Sequence, residues 1–211
     1  MPRERGLTLV EVMIGVVLTS VVLGLSFVAA ATTADVLSVT QATTRAHLEA
    51  ERCLRLCLTE LRRARRDGAS SPAWSASGLQ PGDPDDVLEF RQALGVDPAD
   101  PRQVLWGDTL RIAFAADGEE VPSNGVDDDG DGRVDEGQVL IHIVGSGAPP
   151  VVAARDVTRF AVTVEQPAPG ALRIALEVRV EQVIDRAAKG DSGPTRPRAS
   201  YTARGSVTLL N

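Results

Sequence analysis

The sequence predicts an α+β fold in which one long N-terminal helix packs on an antiparallel sheet, and three observations predict it. Val12 to Ala31 contains no charged side chain. Thr32 to Arg66 contains neither Gly nor Pro and repeats apolar residues at helical spacing. After a stretch rich in Ser, Pro and Gly (Gly68–Pro84), the apolar period changes from helical to alternating.

The N-terminal segment comes first. Twenty uncharged residues at about 1.5 Å rise span roughly 30 Å, enough for the hydrocarbon core of a bilayer. Ahead of them stand Arg3-Glu4-Arg5-Gly6 and then Leu7-Thr8-Leu9-Val10-Glu11. A carboxylate near the start of an apolar span is costly, so Glu11 is a functional candidate with a partner to be found. An ordinary transmembrane anchor needs neither Gly6 nor Glu11. A secretory signal peptide finds a cleavage-site mimic in Ala29-Ala30-Ala31, but its apolar region is usually shorter, at about 7–15 residues.

The short basic leader, the Gly6-Leu7 junction and Glu11 together resemble the class III signal of type IV pilins and their secretion-system relatives. The resemblance implies a cut by prepilin peptidase between Gly6 and Leu7, methylation of the new N-terminus, and an assembly role for Glu11. Leucine at the first mature position departs mildly from the pattern, where phenylalanine or methionine is commoner. Arg3 and Arg5 place the N-terminus on the cytoplasmic side, so the chain after about Ala31 is expected in the periplasm. The implied organisation is a leader over 1–6 and a transmembrane and assembly helix over 7–31. A periplasmic helical continuation over 32–67 and a β-rich periplasmic domain over 68–211 follow.

In the continuation, Val36, Val39, Ala46, Leu54, Leu58 and Leu61 recur at helical spacings, and Asp67-Gly68 supplies a stop. A helix from Thr8 to Arg66 would measure roughly 90 Å at about 1.5 Å per residue. Such a rod suits a filament subunit, with one half among neighbours' helices and the other as spine of its own domain. Arg62, Arg63, Arg65 and Arg66 close it, complementing the helix dipole; a second reading is a basic face for an acidic neighbouring surface. Cys53 and Cys57, the only cysteines, share a helix face. An i, i+4 pair has poor disulfide geometry, so they read as small buried apolar residues.

Strands or strand pairs are predicted over Val87–Arg91, Gln103–Ala115, Gln138–Val144, Val157–Glu165, Ala171–Ile184 and Ser200–Leu210. Leu172 to Glu181 alternates most clearly, and Pro167-Ala168-Pro169-Gly170 reads as the turn of a hairpin before it. Ala187–Arg198 is polar and reads as an exposed loop.

Charge is uneven along the chain. Residues 1–66 hold nine Arg and six acidic groups, a balance of +3, which leaves −10 on the remainder of a chain with net charge −7. An acidic outer domain argues against nucleic acid as a partner, and aromatics at 3% are too few for base-stacking platforms.

Residues 124–138 form the second informative stretch. Asp127, Asp129 and Asp131 alternate, Gly132 follows, and Asp135 and Glu136 come three and four residues after it. Counted from Asp127, positions one, three and five of a calcium loop carry carboxylates, and position six is the Gly of the sharp turn. Position seven offers the Arg133 carbonyl, and position nine is Asp135. Position twelve is Gln138 rather than Glu, so this is no EF-hand; it resembles the aspartate-rich loops of dockerin and thrombospondin type 3 repeats. Asp135 or Glu136 would complete the shell of a structural Ca2+. Six carboxylates within ten residues repel one another, and a hard divalent ion removes that penalty. A solvated acidic turn is the plainer alternative.

No catalytic constellation is present: there is no G-x-S-x-G, P-loop, G-x-G-x-x-G or H-E-x-x-H pattern, and His47 and His142 read as structural. The size and the terminal Val207-Thr208-Leu209-Leu210-Asn211 strand resemble W-type minor pilins of type IV pili or J-type minor pseudopilins of type II secretion. That resemblance implies partners: prepilin peptidase, an inner-membrane assembly platform, the major pilin and other minor subunits in a tip complex. A calcium-dependent adhesin displayed at a filament tip is the alternative reading.

Overall fold

A computed structural model describes residues 8–64, 87–117, 136–168, 171–184 and 197–210. Helix α1 runs over Leu9–Arg62, 54 residues or about 80 Å, and six strands follow among the described residues. They are β1 (Val87–Val96), β2 (Val104–Ala116), β3 (Gly137–Ile143), β4 (Val151–Ala168), β5 (Ala171–Val183) and β6 (Arg198–Leu210). The sheet is an antiparallel meander in sequence order, β1 through β6, and α1 lies on one face of it, chiefly against β6 and β5. This is the expected helix-on-sheet layout.

Two environments divide α1. Every residue from Thr8 to Ala30 is exposed, whereas Ala42, Ala46, Ala50, Cys53, Leu54, Cys57 and Leu61 are buried. The small side chains at 42, 46 and 50 let the helix approach the sheet closely before the larger Leu54 and Leu61 fill the core. Val36 and Val39 match the helical spacing but lie below the sheet, and Val36 stays 65% exposed. In the apolar half, hydroxyls donate back one turn: Thr19 to the Gly15 carbonyl, Ser20 to Val16 and Ser26 to Val22, each at 2.8 Å. Each hydroxyl is thereby satisfied within its own helix, as an apolar medium demands.

The helix ends at Arg62, four residues short of the expected Arg66. Tertiary pairing stops it. Arg63 N–H donates to the Glu60 carbonyl (3.1 Å) and Ala64 N–H to Leu61 (3.0 Å), while the Arg63 carbonyl accepts from Ala93 N–H of β1 (3.1 Å). Ala64 then bridges Gln92, and Gln92 Nε2 donates to the Glu60 carboxylate. The expected stop at Asp67-Gly68 lies outside the described residues.

In the sheet, alternation sorts the faces. Ile174, Leu176, Val178 and Val180 of β5 are buried against α1 with Leu61, Leu88, Phe90, Ile112, Val139 and Val162. Full burial of each large aliphatic side chain contributes about 1.5–3 kcal/mol. The odd residues of β5 (Arg173, Glu177, Arg179, Glu181) face away from the helix. β4 is longer than the expected Val157–Glu165 because β5 templates it to Ala168 and β3 templates it from Val151. A register shift between Val157 and Arg159 accompanies Asp156 at φ 54, the one positive-φ non-glycine described; its carboxylate accepts from Gln182 Nε2 at 2.6 Å. β5 and β6 pair without interruption from Ala171↔Leu210 to Val183↔Arg198.

Candidate functional site

Glu11 sits at the third position of α1, and the helix start is built around it. Thr8 caps the helix in extended conformation (φ −75, ψ 150), and the two side chains close a reciprocal box. Thr8 N–H and Thr8 Oγ1 donate to Glu11 Oε2 at 2.9 and 3.0 Å, and Glu11 N–H donates to Thr8 Oγ1 at 3.3 Å. A carboxylate in the first turn also meets the positive end of the helix dipole. Thr-x-x-Glu ahead of an apolar run is the sequence pattern of this box. Gly6 and Leu7, the candidate processing residues, lie outside the described residues.

From this cap the helix runs through Leu9, Val10, Met13, Val17, Leu18 and Leu25, all more than half exposed. It is the one described helix long and apolar enough to cross a membrane, and none of its apolar window is buried. An apolar rod with a single capped carboxylate at its tip needs either lipid or other helices around it.

Residues 1–27 match the family model of the prokaryotic N-terminal methylation motif. The chain therefore carries the N-terminal signature of type IV pilin-like proteins processed by prepilin peptidase, and Glu11 lies within the matched stretch. With the apolar helix, the motif is consistent with anchorage in the inner membrane, assembly with other pilin subunits and a structural rather than catalytic role. No curated protein and no solved structure gives a significant match to the chain.

The candidate cation loop joins β2 to β3. Asp127, Asp129, Asp131, Arg133 and Asp135 lie outside the described residues; Glu136 is described, and is buried at 3% exposure. The two ends of the connection are held together, since Asp117 N–H donates to the Glu136 carbonyl at 3.1 Å and Ala116 pairs with Gly137.

Cys53 and Cys57 are both buried and unbridged on the sheet-facing side of α1. A hydrogen bond with Cys57, followed by burial, pushes the Cys53 thiol far up, so it stays protonated. His47 is exposed and meets the Tyr201 ring edge-on at 4.3 Å, and the Tyr201 hydroxyl donates to Glu51 Oε1 at 3.3 Å. Both contacts tie α1 to β6. His142 lies half-buried on β3, opposite Arg111 of β2.

Proposed function

We propose that this chain is a minor pilin or minor pseudopilin, a low-copy subunit that joins others in a tip complex and primes filament assembly. One observation carries the reading: the N-terminal methylation motif opens a single helix whose exposed apolar half leads without interruption into the spine of a sheet domain. Prepilin peptidase cuts between Gly6 and Leu7, and the Leu7 amine is methylated. Within the assembling bundle, Glu11 is placed to neutralise the N-terminal amine of an adjacent subunit as that subunit leaves the bilayer, so neither charge stands alone in an apolar setting. The sheet domain rides on the periplasmic side. W-type minor pilins and J-type pseudopilins are the groups whose size and layout the chain best resembles.

Calcium in the 124–138 loop belongs to the same reading as a structural ion. The alternating Asp127, Asp129 and Asp131 followed by Gly132 support it, with the Arg133 carbonyl, Asp135 and Glu136 as further oxygen donors. Bound there, the ion would supply charge neutralisation across the β2–β3 connection.

Mass spectrometry of the chain co-expressed with a prepilin peptidase tests the proposal. The expected product begins at N-methylated Leu7, and substitution of Gly6 leaves a larger membrane-bound precursor. A mature product beginning at any other residue overturns it.

A further inference from the structure

The face of the sheet turned away from α1 carries charge of the wrong sign for this chain. On β4, β5 and β6, Arg159, Arg173, Arg179, Arg198 and Arg204 pair with three glutamates, Glu165, Glu177 and Glu181. The excess is two positive charges in a protein whose net charge is −7. Arg159 and Arg179 are direct cross-strand partners, a like-charge placement offset within the sheet by Glu177 and Glu181. Glu177 serves two guanidiniums, Arg204 at 2.8 Å and Arg159 at 3.5 Å. Between them lies a depression of about 670 Å³. Ala161 and Ala175 supply its small side chains, Arg159, Arg173 and Arg204 its charge, and Thr163 and Ser206 its hydroxyls. The three arginine side chains are 60%, 50% and 74% exposed, so their donors face outward in spite of the pairing.

We propose that this trough docks a carboxylate-rich segment of a second copy of the chain, the stretch 117–135. Guanidinium pairs matched to carboxylates give bidentate, oriented contacts, which a row of lysines does not. The occupant follows from charge complementarity. Residues 117–135 hold eight acidic side chains and one arginine, the densest negative charge in the sequence and the match for an arginine trough. The contact is heterologous, trough to acidic stretch, a type that propagates from copy to copy rather than closing on itself. It uses no residue of the N-terminal motif, so it stands or falls separately from the processing reading.

The test uses the full-length chain in nanodiscs loaded at one copy per disc, which keeps α1 from contributing, with chelator present. Analytical ultracentrifugation is expected to show reversible self-association at about 20 mM salt that weakens about tenfold or more at about 300 mM. Arg159→Ser with Arg204→Ser should abolish it, as should Asp127→Asn with Asp128→Asn and Asp129→Asn. A mixture of the two variants should associate again, because one retains the acidic stretch and the other the trough. That restoration shows that the acidic-stretch variant is folded, and circular dichroism matching wild type shows the same of the trough variant. Wild-type discs that stay monomeric at low salt overturn the proposal. So does a trough variant that associates like wild type, or a trough that binds polygalacturonate while the chain shows no self-association.

Discussion

The Phe114 ring lies directly against the backbone of Gly137, where β2 and β3 meet at the start of the acidic connection. A Cβ at Gly137 would fall 2.6 Å from Phe114 Cζ and 2.4 Å from the Ala115 carbonyl oxygen. The second of these is backbone, which has nowhere to go without breaking the β2–β3 ladder. Gly137→Ala is therefore expected to destabilise the domain by about 1–3 kcal/mol. Urea unfolding followed by circular dichroism measures it, and a midpoint equal to wild type contradicts the packing described.

Glu11→Ala separates processing from assembly. The substitution removes both the Thr8 box and the charge proposed to meet the next subunit's amine, yet leaves Gly6 and Leu7 untouched. Cleavage should proceed, and most incorporation into sheared filaments or tip complexes should be lost. Glu11→Gln keeps the cap acceptor but not the charge, so it should behave like Glu11→Ala in assembly. Normal filament entry by Glu11→Gln would remove charge neutralisation from the mechanism.

The buried thiol makes stability fall at alkaline pH. A folded-state value raised above the ordinary 9.0 for Cys53 means the unfolded chain releases this proton first. Stability is full below pH 9.0 and declines as pH rises above it. Tyr201, raised above its ordinary 10.0 by partial burial and then by Glu51, acts in the same direction at higher pH. Thermal melting from pH 7 to 11 should show the decline, with a shallower slope in Cys53→Ala. An unchanged slope in that variant would place the effect elsewhere. In the native protein neither cysteine should react with a thiol reagent until denaturant is added, because both are at 0% exposure.

Calcium should raise the melting temperature of the intact protein, and chelator should return it to the lower value. Asp129→Asn should weaken binding in titration calorimetry without changing the apo melting point. Absence of calcium heat, together with melting that ignores chelator, would leave the 124–138 stretch as an acidic turn.

Several elements were written locally and so could be read directly. The helix follows from the uncharged run and from the lack of Gly and Pro after Thr32, both features of near neighbours in sequence. β5 follows from strict alternation over Leu172–Glu181, because a sheet with one buried face imposes a period of two. The N-terminal methylation motif lies within one short stretch, residues 1–27, and needs no fold to be recognised. What tertiary structure alone decided is where distant pieces compete or coincide. α1 stops at Arg62 because β1, some thirty residues later, takes the backbone of Arg63 and Ala64 into its own pairing. Ala42, Ala46 and Ala50 outrank Val36 and Val39 as core because burial depends on how far the sheet reaches along the rod. The arginine trough appears only when Arg159, Arg173 and Arg204 are brought side by side by the register of β4, β5 and β6. Separated by up to 45 positions, three ordinary surface charges become one field only through that pairing.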